Sequence, residues 1–232
     1  MPEVEALLFD KDGTLFDFAA TWGAWTRDLV FDLAGGQAAL AQALAQAVGY
    51  DLTSGAFAPD SPVIAHTPQE IAAALAPFLP GIAAGALVER MNALSAGAPQ
   101  VAVTDLGALL GALRSRGLRL GLVTNDAEAP ARAHLERSGV LDRFDFVAGS
   151  DSGYGAKPDP GPLLAFARLE GVSPARVAMV GDSRHDLQAG RAAGMRTVGV
   201  LTGPATRADL LPLADAVLPD IAHLPAWLDS EA

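Results

Sequence analysis

The chain has 232 residues, half of them hydrophobic, and a formal net charge of −11. That composition supplies a sizeable core and excludes a disordered chain, while the acidic balance argues against nonspecific affinity for nucleic acid or anionic membranes. Cysteine is absent, which removes disulfide and thiol chemistry. The opening Met1-Pro2-Glu3-Val4-Glu5 lacks the basic start and apolar middle of a signal peptide, and no apolar run reaches the length of a membrane helix. A soluble cytoplasmic protein is expected. The only lysines are Lys11 and Lys157; every other basic side chain, histidine apart, is arginine.

The first element is an apolar run from Val4 to Phe9, broken only by Glu5, which reads as a buried strand. It leads directly into Asp10-Lys11-Asp12-Gly13-Thr14-Leu15. Two carboxylates crowded at one point repel each other unless a cation or a proton lies between them. The economical reading is a Mg²⁺ site beside a carboxylate nucleophile. Helical stripes follow: Phe18, Trp22, Trp25, Leu29 and Leu33 in one, Leu40, Leu44 and Val48 in a second. Thr67-Pro68-Gln69-Glu70 is a capping box with proline at the first helical position, opening a helix that carries Ile71, Leu75 and Phe78. Pro80-Gly81 ends it, Leu87, Met91 and Leu94 mark a fourth helix, and Ser95 to Gln100 reads as a return linker.

Beyond residue 100 strands and helices alternate. Asp105 caps a helix with Leu106, Leu109, Leu110 and Leu113 on one face, stopped by Gly117. Strands are expected over 118–123, 144–148, 177–180, 197–201 and 216–218, with helices over 128–137, 162–169, 186–193 and from Ile221 onward. This pattern implies right-handed crossovers and a doubly wound, mostly parallel α/β sheet, Rossmann-like, with an inserted α-helical cap. The expected division is a catalytic core of residues 1–16 and 99–232 and a helical cap of 17–98.

Four segments fall at strand ends: Asp10 to Thr14, Thr124-Asn125, Lys157 in its Gly-Ala-Lys-Pro-Asp-Pro loop, and Asp182 to Asp186. In a doubly wound sheet such ends converge on one side. Their types suit one task, with carboxylates for Mg²⁺, a hydroxyl and an ammonium for phosphate oxygens, and an aspartate as nucleophile.

In the order and spacing of these segments the chain resembles the haloacid dehalogenase-like hydrolase superfamily, in its phosphoglycolate phosphatase-like branch with a helical cap. The resemblance implies a Mg²⁺-dependent phosphatase acting on a small phosphomonoester, with phosphoglycolate the leading substrate. It implies that Asp10 attacks phosphorus to form an aspartyl-phosphate and that Asp12 acts as general acid, then base. Thr124 holds a phosphoryl oxygen, helped by the amides of Lys11 and Asn125, and Lys157 neutralises the phosphoryl charge and tethers Asp10. Asp10 and Asp182 bind the metal with the Asp12 carbonyl, while Asp186 orients a metal-bound water or Lys157. Partners are a small phosphorylated metabolite, no nucleic acid and no membrane, in a monomer or homodimer.

The residues leave other readings open. Lys11 reads as a balance of local charge, Trp22 and Trp25 as cap core, and His66, His134 and His223 as surface groups outside the site. Thr124 also suits a cap for the helix beginning near Glu128. Phe18 is the cap aromatic expected to touch substrate. Arg27 is the cap cation offered for a leaving-group carboxylate, with Arg90 and His66 as its other basic groups. Rival functions are a phosphohexose mutase of the same fold, a non-catalytic phosphate-binding module, and a receiver domain phosphorylated on aspartate.

Overall fold

The computed structural model describes residues 3–230. Met1 and Pro2, on which part of the leader reading rests, lie outside it, as do Glu231 and Ala232. Six strands form one parallel sheet: β1 (Ala6–Phe9), β2 (Arg119–Val123), β3 (Phe146–Ala148), β4 (Val177–Gly181), β5 (Arg196–Val200) and β6 (Ala216–Leu218), in the order β3-β2-β1-β4-β5-β6. The chain builds outward from β1 to β3, then crosses to the other side of β1 to begin β4. The switch in strand order therefore lies between β1 and β4, where such sheets open a crevice at their carboxyl edge. Register brings the ends together, since Phe9 pairs with Leu122 on one side and Val180 on the other.

Strand side chains alternate between two buried layers. Leu7 and Phe9 join Leu110, Leu120, Leu122 and Val180 on one face, while Ala6 and Leu8 join Val123, Phe166 and Met179 on the other. Helices α5 (Leu106–Ser115), α6 (Glu128–Arg137), α7 (Gly161–Glu170), α8 (Arg184–Ala192), α9 (Arg207–Leu210) and α10 (Leu224–Ser230) accompany the sheet. Asp105 caps α5 by accepting the Ala108 amide at 2.9 Å, as its place in the sequence requires. No described helix is long and apolar enough to cross a membrane.

Between β1 and β2 stand α1 (Phe18–Ala34), α2 (Ala38–Ala47), α3 (Pro68–Leu75) and α4 (Ala84–Gly97). They bury a core of their own around Trp25, Leu29, Leu44, Leu75 and Met91. The two connections to this insert pair with each other: Asp17 N donates to Val101 O at 2.8 Å and Val103 N to Leu15 O at 3.1 Å. The Thr67 capping box is present, with Glu70 Oε2 accepting the Thr67 amide at 2.8 Å.

Two expectations give way here. The expected linker from Ser95 is helical through Gly97, because α4 continues until it lies against α6. Phe78 leaves the apolar stripe: α3 stops at Leu75, a 3-10 turn carries Phe78, and its ring is 40% exposed. Helix α9, a single turn capped by Thr206 and Asp209, had no apolar period to announce it.

Candidate active site

Asp10 follows β1, Thr124 follows β2 and Asp182 follows β4, so the three side chains arise from adjacent strand ends. The loop after β3 and the first turn of α8 add Lys157 and Asp186. One carboxylate oxygen from each of Asp10, Asp182 and Asp186 lies within 4.8 Å of the others. Lys157 is buried beside them: its Nζ stands 2.6 Å from Asp10 Oδ1, 2.7 Å from Asp186 Oδ1 and 2.8 Å from the Val123 carbonyl. An ammonium has three protons, and all three have partners within the protein. A phosphoryl oxygen reaching Lys157 must therefore exchange with one of them.

Asp186 is the third helical residue of α8. Its second oxygen accepts from the Ser183 amide at 3.0 Å and the Ser183 hydroxyl at 2.7 Å in a capping box. That fixes Asp186 against Lys157 and leaves Asp182 the freer carboxylate. Its one side-chain hydrogen bond among the described residues is a long one from the Thr14 hydroxyl, 3.4 Å. Gly13 has φ +82°, and a Cβ built there would lie 2.5 Å from Asp182 Oδ2. Gly203 meets the same carboxylate from another loop, so both positions exclude any side chain.

Burial pushes the Asp10 carboxyl up to about 7 against the pull of Lys157, with repulsion from Asp186 and Asp12 adding to the rise. Burial, then the neighbouring Asp10 and Asp186, holds Asp182 well above the carboxylate range. Burial opposes the charge on Lys157, yet Asp10 and Asp186 together hold its ammonium above the usual lysine value. Three buried carboxylates against one ammonium leave an electrostatic deficit that a divalent cation fits. The donors are hard oxygens, as Mg²⁺ requires.

A second cluster surrounds Lys11, and here the reading from sequence changes. Lys11 does balance the charge of its neighbour Asp12, but it does so wholly buried and with partners from distant parts of the chain. Its Nζ lies 2.8 Å from Asp12 Oδ2, 3.3 Å from Asp126 Oδ2 and 2.9 Å from His134 Nδ1, with the Trp22 ring centroid at 5.4 Å. Removing an ammonium from water costs several kcal/mol, so this many partners is what keeps it charged. Burial pulls Lys11 down, but Asp12 and Asp126 leave it above its ordinary value. His134 is buried, not a surface group. Its Nε2 donates to the Ser95 carbonyl at 2.7 Å, which leaves Nδ1 to accept from Lys11. Burial, then Lys11, holds His134 down to about 4, so the ring is neutral.

Asp126, Ser95 and His134 were missed as a group. Asp126 accepts the Ser95 hydroxyl at 3.2 Å and the Ala127 amide at 2.8 Å, tying the end of α4 to the cleft. Helical spacing held the clue for His134, since with Ala127, Ala131 and Leu135 it shares the buried stripe of α6. Asp12 lines this cleft, and its Oδ1 is buried without a hydrogen-bond partner among the described residues.

Thr124 is buried and its hydroxyl accepts the Asp126 amide at 3.1 Å. It does not cap α6, whose N-cap is Ala127. Asn125 braces the site by its side chain, donating to the Ala65 and Lys157 carbonyls at 2.7 Å each and accepting the Lys157 amide at 2.9 Å. The insert is thus docked on the core at Ala65, Ser95 and His66, whose ring stacks on His185 with centroids 6.1 Å apart. Burial lowers His185, with His66 adding repulsion.

The cleft, counted together with its open mouth, spans about 620 Å³. Phe18 does not line it: the ring lies in the insert core, edge-on to Phe57 at 5.3 Å. Trp22 and Trp25 are core residues as expected, yet their edges also reach the cleft. Arg27 is exposed over the Phe31 ring at 5.6 Å, and Arg90 pairs with Asp32 at 2.5 Å on the outer surface. Neither lines the cleft. His66 does line it, so it is not outside the site, whereas His223 pairs with Asp220 at the surface.

A family model for haloacid dehalogenase-like hydrolases matches residues 4–194. The chain belongs to that family of hydrolases. Among curated proteins, it is 45% identical over 122 residues to the phosphoglycolate phosphatase of Rhodospirillum rubrum, covering 52% of this chain and 50% of that one. It is 44% identical over 94 residues to the phosphoglycolate phosphatase of Escherichia coli K12, covering 40% and 37% respectively. The matches span half or less of those relatives' length. A solved predicted phosphoglycolate phosphatase from Haemophilus somnus superposes with a TM-score of 0.76 at 18% identity, covering 98% of this chain and 99% of the other. A HAD phosphatase from Thermococcus onnurineus superposes with a TM-score of 0.68 at 24% identity, covering 97% and 98%. At those identities the likeness concerns the fold.

Proposed function

We propose that this hydrolase is a Mg²⁺-dependent phosphatase that cleaves a small phosphomonoester through an aspartyl-phosphate at Asp10. The observation that carries the reading is the meeting of Asp10, Asp182 and Asp186 around the Lys157 ammonium at the sheet's switch point. Asp10 and Asp182 would hold the metal with the Asp12 carbonyl, and Asp186 keeps Lys157 in place. When bound, the metal supplies positive charge that offsets the crowded carboxylates and the phosphoryl oxygens.

In the first step a carboxylate oxygen of Asp10 bonds to phosphorus while the bond to the alcohol oxygen breaks, and Asp12 gives that oxygen a proton. In the second, Asp12 takes a proton from the attacking water, the bond between Asp10 and phosphorus breaks, and inorganic phosphate leaves. Lys157 fixes the orientation of Asp10, and the Thr124 hydroxyl offers its proton to a phosphoryl oxygen. Positioning and charge neutralisation are the main demands of phosphoryl transfer. Residues 17–98 act as a cap over a core of 1–16 and 99–232. Their separate apolar core and the paired connections at Asp17 and Val101 support that division. Phosphoglycolate, named for the curated relatives, is the reference ester.

Phosphate release from a panel of phosphomonoesters tests the reading. Activity is expected with Mg²⁺ and is expected to vanish with EDTA or with Asp10→Asn. Turnover that survives Asp10→Asn would reject the nucleophile, and turnover in EDTA would reject the metal.

A further inference from the structure

We infer that the cleft is built for an uncharged leaving alcohol with an apolar face, and that it discriminates against an alcohol bearing a carboxylate. The inference rests on the phosphatase reading and narrows its substrate class.

The two sides of the cleft differ in chemistry. The insert's wall is Trp22, Trp25, Val63, Ile64, Ile71 and Met91. The two indoles meet edge to face, centroids 4.9 Å apart, and present fixed apolar surface. The Trp25 N–H is directed to the Met91 carbonyl at 3.4 Å, and the Ser95 hydroxyl to Asp126. Neither donor is free for a ligand.

Charge is distributed the other way. Asp10, Asp12, Asp126, Asp182 and Asp186 all line the cleft, and Lys157 is the one lysine or arginine among its described lining residues. Lys157 has its protons engaged, and Lys11 behind Asp12 is matched by two carboxylates. The insert's two arginines face solvent, one over Phe31 and one on Asp32. What remains for a carboxylate is the Asn92 amide on the insert's wall and the stacked His66 and His185 rings. An anionic group enclosed without a lysine or arginine of its own is disfavoured, and here Asp12 and Asp126, which share the one Lys11 ammonium, would add repulsion. An alkyl, aryl or polyol carbon face meets the Trp22, Trp25 and Met91 surface with no such loss.

The test is a matched pair. Phosphoglycolate and ethylene glycol monophosphate carry two carbons each and differ in a carboxylate against a hydroxymethyl group. Propyl and phenyl phosphate extend the apolar arm. With the wild-type protein and Mg²⁺, kcat/KM is expected to favour the uncharged esters over phosphoglycolate by roughly tenfold or more. Asn92→Arg, which places a guanidinium on the half-buried wall, is expected to raise phosphoglycolate against the glycol ester several-fold. Should that variant fail to fold, the wild-type ratio decides alone. Equal or preferred turnover of phosphoglycolate by the wild type would overturn the inference, and its loss in His66→Gln would then identify the carboxylate's partner. Release from none of the esters would overturn the phosphatase reading itself, a result distinct from an inverted ratio.

Discussion

Across one cleft the sheet edge and the helical insert solve opposite problems. The edge gathers buried charge, with Asp10, Asp182 and Asp186 on Lys157 and Asp12 and Asp126 on Lys11. The insert presents indole, branched aliphatic and thioether surface, and keeps its arginines outside. Chemistry that needs fixed electrostatics sits on short strands whose ends are locked by register. Recognition of the alcohol, as proposed, falls to helices with a separate core, joined by two paired connections. A change at the edge should therefore act on catalysis or protonation, and a change in the insert on the choice of alcohol.

The largest expected effect is at Asp10. Asp10→Asn keeps the side chain's size and a carbonyl acceptor for Lys157, so the fold should persist while kcat drops by roughly a thousandfold or more. Phosphate-release kinetics beside a Tm measurement separate the two. Lys11→Met comes next. It leaves Asp12 and Asp126 buried without their shared cation, which costs about 3–5 kcal/mol of stability. Urea unfolding measures this, and a loss below about 1 kcal/mol would show that water reaches the cluster.

Protonation sharpens the comparison further. The folded value of His134 lies below its unfolded one, so the unfolded chain takes up the proton first as pH falls. Its stabilisation is present above pH 6.5 and is lost between 6.5 and about 4. This is worth about 2–3 kcal/mol and should disappear from the acid limb in His134→Gln. Asp10 has the opposite sign, since a raised carboxyl favours the folded state at low pH and loses that contribution between 3.8 and about 7. Added Mg²⁺ should therefore raise Tm more at pH 8 than at pH 5. At the small end, Arg27→Ala should leave kcat/KM within about twofold, because its guanidinium never reaches the cleft. A tenfold loss there would contradict the orientation of α1.

The alternating architecture was readable because its signals are local. Asp105 announces α5, and the bounds expected for α6 and β6, 128–137 and 216–218, are those observed. The strand-end aspartates were readable for the same reason. What escaped depends on direction. Phe18, Trp22 and Trp25 share one helical stripe, and only tertiary packing, such as that of Phe18 on Phe57, decides which of them reaches the cleft. Lys11 lies between two aspartates, and one-dimensional reading balances it locally. Burial depends on His134 and Asp126, more than a hundred residues away.

The central claim is that Asp10 carries the phosphoryl group between two half-reactions. Borohydride quenching during turnover, followed by peptide mass spectrometry, reads it directly. Reduction of an acyl phosphate there would leave homoserine at position 10, absent without substrate and absent from Asp10→Asn. Steady phosphate release with position 10 unmodified, or with the reduced residue elsewhere, would contradict the account.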